Sequence, residues 1–444
     1  MPRLFGTDGI RGRANVDLKP TVAYALGRAT ASHLLGGEGR ILVGQDTRRS
    51  GDMLVAAIVA GATSMGVDAH RMGVCPTPAL AYATGALGYG AGIMVSASHN
   101  PAEDNGLKVL GPGGGKLDDQ VEDELEALIW RTDELAGPTN DRLGRLADSP
   151  AAIERYREHR LGLAARTRTE LRVVVDCANG SASAIAGDII GATGAEVAVR
   201  FAEPDGVNIN LGCGATAPGA LAAMVAAEDA HVGFALDGDA DRCVAVDEHG
   251  DVVDGDQLLG IIALDRLERG RLTANTLVVS VLSNGGLADA VHRAGGRVVR
   301  TPVGDKHIAD AMAVSGAGVG GEKSGHVIIA EHTATGDGIV TALEVLDILA
   351  RCGRSLSELA ARVPLYPQEQ RAIHVRHKEQ WAADLQLADA IAAAEAELTA
   401  AGGRIVVRPS GTEPALRIMV EGPDAVRVRD IADTLAALTA QRLN

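Results

Sequence analysis

Helix-like and strand-like apolar patterns alternate along the first third of the chain. "TVAYALGRATASHLL" from Thr21 predicts a helix, "RILVGQD" from Arg40 a strand, "GDMLVAAIVAGATSMG" from Gly51 a helix, and "GAGIMVSAS" from Gly90 a strand. This is the rhythm of βαβ units and a parallel sheet. A charged helical segment, "LDDQVEDELEALIW" from Leu117, then gives way to "RTDELAGPTNDRLGRLADSP", a polar, proline-containing stretch that predicts a linker.

The pattern restarts with "LRVVVDCANGSAS" at Leu171, "GAEVAVRF" at Gly194 and "HVGFALDGDADR" at His231. A third cycle runs from "GDQLLGIIALDRL" at Gly255 through "NTLVVSVLSN" and "RVVRTPVGD" to "GVGGEKSGHVIIA" at Gly318. Each cycle places a glycine-rich polar loop directly after an apolar strand, where ligands of open parallel sheets collect. The last part differs. After "VPLYPQEQ" come a strand, an Ala-rich helix, two strands around "PSGTEP" and a final helix, which predicts a smaller α+β domain. The chain divides accordingly at residues 1–150, 151–254, 255–366 and 367–444.

Length and charge narrow the picture. At 444 residues the chain holds several cores, and 46% hydrophobic with 23% charged residues is an ordinary globular balance. A net charge of -16 with 2% aromatics lacks the basic surface and stacking rings of a nucleic-acid binder. No signal-peptide core or membrane-length apolar run is visible, so neither nucleic acid nor membrane is an expected partner, and a cytosolic setting is. The five cysteines are odd in number, scattered and free of C-x-x-C, and read as reduced core thiols.

Several loops carry candidate chemistry. "DGDAD" sets Asp237, Asp239 and Asp241 at every second position, and a hard divalent cation would relieve their repulsion. With oxygen donors and neither histidine nor thiolate in the loop, Mg²⁺ fits better than zinc. An EF-hand starting at Asp237 would place Glu248 at its last position, yet Arg242 stands where that loop needs glycine. "SASHNP" offers a serine as nucleophile or phosphorylated residue, and Lys108 in "NGLKV" a cation for phosphoryl chemistry; its plainer reading is a turn before Pro101. Ser96 and Ser98 are equal candidates at this level. "RPSGTEP" supplies Arg408, Ser410, Gly411 and Thr412 for a phosphate cradle, and "GEKSGH" supplies Glu322, Ser324 and His326 for sugar hydroxyls. "FGTDGIRG" presents Arg11, and Arg48 in "GQDTRRSG" is a second guanidinium candidate.

In this order, "FGTDGIRG", "SASHNP", "NGLK", "DGDADR", "GEKSGH" and "RPSGTEP" resemble the α-D-phosphohexomutase superfamily, and the first and last are most similar to its amino-sugar branch. The resemblance spans Leu4 to about Gly422. It implies a four-domain α/β protein, three similar mixed-sheet domains and a smaller C-terminal α+β domain, with one loop from each facing a central cleft. It selects Ser98 as the phosphoserine, which with Asp237, Asp239 and Asp241 would hold one Mg²⁺ per subunit. It places Lys108, Arg11 and His99 about the reacting phosphate, Lys108 as proton carrier. Glu322, Ser324 and His326 would hold the sugar, and Arg408, Ser410, Gly411, Thr412 and Arg417 the non-reacting phosphate.

The implied reaction interconverts glucosamine 6-phosphate and glucosamine 1-phosphate, primed by a hexose 1,6-bisphosphate, and feeds UDP-N-acetylglucosamine and cell-wall synthesis. A homodimer is the expected assembly. The alternatives are a phosphoglucomutase or phosphomannomutase of the same superfamily, a metal-dependent sugar phosphatase, and a non-catalytic calcium or sugar-phosphate binding module. Two departures bear on the substrate. Lys323 stands where the branch has glutamine, and "VGDKHI" from Val303 replaces "VGDRYV"; a lysine turned toward the sugar would repel a 2-ammonium group.

Overall fold

The computed structural model describes residues 3–6, 8–410 and 414–444, which form four sheets. The first takes β1 (Phe5–Gly6), β2 (Gly9–Arg13), β3 (Arg40–Gln45), β4 (Asp68–Val74), β5 (Ala91–Val95), β6 (Asp104–Leu110) and β7 (Leu146–Asp148), in the order β1-β2-β6-β5-β3-β4-β7. Its β5, β3, β4 and β7 are parallel, and β6, β2 and β1 continue it antiparallel. The second orders β8 (Arg172–Asp176), β9 (Glu196–Arg200), β10 (Val232–Leu236), β11 (Cys243–Asp247) and β12 (Val252–Val253) as β12-β11-β10-β8-β9. The third orders β13 (Thr276–Ser280), β14 (Arg297–Thr301), β15 (Val319–Gly321) and β16 (Val327–Ile329) as β14-β13-β15-β16. The fourth, β17 (Gln368–His374), β18 (Arg404–Pro409) and β19 (Ala415–Glu421), is antiparallel with β19 central.

Strands β5, β10 and β13 are buried at every position, which is why they read as unbroken apolar runs: helices cover both faces of these sheets. With few aromatic residues, the layers close by approach of small ones. Helices Pro20–His33 and Gly51–Thr63 cross where a Cβ on Gly27 would meet the Ile58 carbonyl and one on Gly61 the Tyr24 carbonyl. The stretch after Arg131 is not wholly a linker. Leu146–Asp148 adds β7 to the first sheet, and because all its residues are exposed no apolar pattern marks it.

A helix, Pro150–Ala164, leads onward from the first sheet and buries Arg160, whose guanidinium donates to Asp337 at 3.0 and 3.1 Å and lies over the rings of Tyr82 and Tyr156. Asp337 also caps the helix Gly338–Cys352 by accepting from Val340 N at 3.0 Å. One buried ion pair therefore anchors this connecting helix to the third unit of the chain.

In each of the first three sheets a parallel strand is followed by a loop and an antiparallel partner: β5 by β6, β10 by β11, β15 by β16. These loops lie at the carboxyl ends of the parallel strands and contain Ser98, the three aspartates, and Glu322 with Ser324. They also touch one another: Ser98 Oγ donates to Asp237 Oδ2 at 2.5 Å, and Cys243 N, where the second loop enters β11, donates to Gly325 O of the third at 3.0 Å. Among the described residues no helix is long and apolar enough to cross a membrane. Cys75, Cys177, Cys213 and Cys243 are buried free thiols, and burial pushes those of Cys75, Cys177 and Cys213 up to about 12.

Candidate active site

Ser96 and Ser98 are both buried but differently engaged. Ser96 Oγ donates to Asp46 Oδ2 at 2.6 Å and accepts from Ser98 N at 2.9 Å, so its role is internal to the loop. Ser98 Oγ reaches the second sheet's loop and donates to Asp237 Oδ2 at 2.5 Å. Its φ of +52° is left-handed, a conformation that costs a non-glycine residue energy and is kept where surroundings enforce it. The enforcing group is Arg48. Its guanidinium donates to the carbonyls of Ser98 (3.0 Å), Asn100 (2.7 Å), Asp104 (3.0 Å) and Pro101, and its Nε pairs with Asp46 at 2.9 Å. Arg48 is 1% exposed, so it shapes the loop from beneath and does not present a guanidinium to a ligand.

Asp237, Asp239 and Asp241 each offer an oxygen within 4.8 Å of the others, and all three are buried. Asp239 Oδ1 and Asp241 Oδ1 are buried without a hydrogen-bond partner. Burial, then Asp241 and Asp239, push Asp237 well above the usual carboxylate range; for Asp241 burial also works upward, but Lys108 and nearby His326 outweigh it and hold the carboxyl below that range. Buried like charges with orphaned oxygens and no sulfur or nitrogen donor among them fit a divalent oxygen-seeking cation such as Mg²⁺. The EF-hand alternative fails. Strands flank the loop, and Glu248 turns away to accept from Ser357 Oγ at 2.5 Å and Ser357 N at 3.3 Å. A second cluster, Glu331, His332 and Glu344, already holds a cation, because Arg266 donates to Glu331 at 2.5 Å and Glu344 at 3.2 Å.

Lys108 projects from β6 into these charges, 3.0 Å from Asp239 and from Asp8 and 3.7 Å from Asp241. Burial alone would lower its pKa, but the three carboxylates together raise it, so Lys108 is an ammonium. Arg11 pairs with Asp8 and donates to Asn100 Oδ1 at 3.3 Å. His99 Nδ1 lies 3.4 Å from Ser98 Oγ and accepts from Arg242 Nη1 at 3.0 Å; burial, then Arg242 and Arg11, push it down to about 4, so its ring is neutral. Thr77, unmarked by any motif, steadies Asp239 by donating to its Oδ2 at 2.6 Å. Asp8 lies within "FGTDGIRG" beside Arg11, and a carboxylate among glycines is the sequence signal that marks it.

Glu322 is half-buried and accepts from Gly304 N at 3.2 Å, and Ser324 is exposed beside it. His326 is 3% exposed, accepts from Gly336 N at 3.0 Å and lies 3.7 Å from Asp241. It supports the acidic loop from behind and is not offered to a sugar hydroxyl. Lys323 is turned toward the fourth sheet, donating to Gln368 Oε1 at 3.1 Å and lying 3.9 Å from Asp254. Arg408 on β18 and Arg417 on β19 are cross-strand partners, and burial with this like-charged neighbour lowers the Arg408 pKa. Ser410 follows, buried, with its carbonyl accepting from Lys378 Nζ at 2.6 Å. Gly411 and Thr412 lie outside the described residues.

Models of the phosphoglucomutase/phosphomannomutase α/β/α domains I, II and III and C-terminal domain match residues 2–136, 153–250, 254–366 and 372–438. Four sheets matched in this order define a phosphohexomutase. Curated relatives narrow the class. Phosphoglucosamine mutase of Symbiobacterium thermophilum is 48% identical, covering 100% of both chains, and that of Moorella thermoacetica is 49% identical over 97% of this chain and 98% of its own. The chain belongs to the phosphoglucosamine mutase family. A phosphoglucomutase/phosphomannomutase family protein from Burkholderia thailandensis has a similar structure, with a TM-score of 0.83, 26% identity and 100% and 98% of the two chains covered. The fold is also that of Aspergillus fumigatus N-acetylphosphoglucosamine mutase, solved with GlcNAc-6P and magnesium (TM-score 0.70, 20% identity, 99% and 96% covered).

Proposed function

We propose that this protein interconverts glucosamine 6-phosphate and glucosamine 1-phosphate through phosphorylated Ser98 and a 1,6-bisphosphate. The observation that carries this reading is the contact between Ser98 Oγ and Asp237, which brings a strained serine of one unit onto the acidic loop of the next. Asp237, Asp239, Asp241 and an oxygen on Ser98 would hold one Mg²⁺ per subunit. Its chemistry, when bound, is to withdraw negative charge from the departing serine oxygen.

In the first transfer the bond from phosphorus to Ser98 Oγ breaks as one forms to the sugar O1. The O1 proton must finish on Ser98 Oγ. Lys108, an ammonium beside Asp239 and Asp8, suits a relay in which it gives its proton to Oγ and regains one from O1. Arg11 faces the moving phosphoryl group, and neutral His99 adds no competing charge beside Ser98. Glu322 and Ser324 hold the sugar hydroxyls. Arg408 and Arg417, two like charges placed together, gain most from a phosphate dianion between them, with Ser410, Gly411 and Thr412 completing the grip. Once the bisphosphate has turned end for end, the reverse transfer restores phosphoserine.

Lys323 does not oppose the amino-sugar reading, because its ammonium is committed to Gln368 and Asp254. The test is peptide mapping followed by parallel assays on glucosamine, glucose and mannose phosphates with Mg²⁺ and a hexose 1,6-bisphosphate primer. Phosphate on Ser98 and preference for glucosamine phosphates are expected. Far better turnover of glucose 1-phosphate would overturn the substrate, and activity retained in Ser98→Ala would overturn the mechanism.

A further inference from the structure

The charged groups around Lys108 form a chain of contacts across three sheets. Lys108 meets Asp239, Asp241 and Asp8. Asp8 gives one oxygen to Lys108 and Arg11 and the other to Lys116, whose Nζ lies 2.5 Å away. The Lys116 ammonium then bridges to Asp305 Oδ1 at 2.7 Å. His326, whose Nε2 accepts from Gly336 N, lies 3.7 Å from both Asp305 Oδ2 and Asp241 Oδ2, beyond hydrogen-bond distance. No step of the transfer derived above uses Lys116 or Asp305.

Their placement gives them a role. Lys116 lies between β6, which carries Lys108, and the helix Asp119–Trp130, while Asp305 opens the helix Asp305–Ser315 of the third unit. Gly304, next to Asp305, donates its N–H to Glu322 of the sugar loop. The turn that receives Lys116 thus also orients the carboxylate proposed to hold the sugar. Lys116 and Asp305 have side chains 20% and 14% exposed, sheltered enough to couple more strongly than surface pairs. A second bridge, Lys306 to Asp119, joins the same two helix starts from a more exposed position, Asp119 being 68% exposed.

We propose that Lys116 is a positioning residue of the phosphoryl transfer: it presses Asp8 against Lys108 and Arg11 and fastens them to the turn that orients Glu322. Alignment of the proton carrier with the reacting oxygens then depends on the first and third units being docked. The inference rests on the mutase reading and assigns Lys116 no contact with substrate.

The test compares Lys116→Met, Lys116→Arg, Asp305→Asn and the double variant Lys116→Met/Asp305→Asn by steady-state kinetics with Mg²⁺ and bisphosphate primer, alongside thermal melting. For Lys116→Met we expect kcat to fall about 100-fold, the scale of a small misplacement of reacting groups, with KM changed less than about threefold. Lys116→Arg should recover most of that loss, since a guanidinium can span the same two carboxylates. The double variant should be no slower than Lys116→Met alone, because the two residues act as one bridge. Asp119→Asn, which cuts the exposed bridge, should change kcat by less than about threefold. Unchanged kcat in Lys116→Met, or a double-variant loss equal to the product of the single losses, overturns the proposal. Should Lys116→Met not fold, Asp305→Asn and Lys116→Arg decide it: kcat unaltered in Asp305→Asn overturns it, and a loss in Asp305→Asn with near-normal Lys116→Arg supports it. A wild-type enzyme inactive on all three sugar phosphates would instead overturn the mutase reading, and this proposal with it.

Discussion

Two serines in one loop have the same chemistry and opposite fates. Ser96 spends its proton on Asp46, fifty positions earlier in the chain, and its lone pair on Ser98 N, whereas Ser98 points its hydroxyl at Asp237. Ser96→Ala should therefore behave as a structural variant. It removes one of the two donors to buried Asp46 Oδ2, which keeps Arg48 Nε, and leaves the Ser98 N–H without its partner, at a cost of about 1–3 kcal/mol. A lower melting temperature with phosphate still on Ser98 is expected, while Ser98→Ala should lose turnover by more than about 10³-fold. Melting curves with phosphopeptide mapping of both variants check this, and phosphate found on Ser96 would refute it. Nothing local in "VSASHNP" distinguishes these serines, since the partner that does so is supplied by another strand. Arg48 was misread for the same reason: a guanidinium in a polar loop looks offered to ligand until the carbonyls that surround it are in place.

At the scale of strands and loops the chain was far more legible. The buried strands β5, β10 and β13 declared themselves by unbroken apolar runs, and the loops after β5, β10 and β15 by polar residues directly behind such runs. Legibility failed where pattern was absent, as in exposed β7, and where an element's purpose lies in a distant contact. Glu248 is an example. Counted along the sequence it looked like the end of a calcium loop, but its carboxylate accepts from Ser357 at the start of the helix Leu356–Ala360. Burial works against this carboxylate, yet hydrogen bonds from Ser355 and Ser357 bring it down to about 2. A depressed carboxyl contributes its stability above its unfolded value, about 4.3, and loses it as pH falls through the folded value. Glu248→Gln should thus melt below wild type at pH 6, with the gap closing as pH drops from about 4.5 toward 2. Melting curves of both proteins between pH 3 and 6 check this, and a gap independent of pH would show that the serine contacts do not favour the charged carboxylate.

Across the whole molecule, the proposed reaction requires that the phosphate grip assigned to the fourth sheet and the serine on the first face the same sugar. A buried carboxylate joins the fourth sheet to the third unit. Glu421, 1% exposed on β19, accepts from Gly285 N at 2.9 Å, from Arg404 Nε at 2.8 Å and from Gln368 Nε2 at 3.0 Å. Arg404 in turn donates to the carbonyls of Val281 and Ser283, both at 2.6 Å, so the ion pair is pressed against the loop after β13. Arg404 begins β18, the strand that carries Arg408, so movement at this seam is transmitted along a rigid strand to the phosphate grip. Glu421→Ala would leave the Gly285 N–H without its partner and remove the counter-charge of Arg404, which keeps the carbonyls of Val281 and Ser283, at a cost of about 1–3 kcal/mol. Because none of these contacts of Glu421 and Arg404 involves the serine loop, the loss of the seam should fall on binding: KM for the phosphosugar should rise about tenfold, an apparent loss of about 1.4 kcal/mol, while Ser98 is still phosphorylated by the 1,6-bisphosphate. Steady-state kinetics with phosphopeptide mapping separates the two effects. A fall in kcat at unchanged KM would place the influence of the seam on the chemical step, contrary to a role in holding the grip over the sugar.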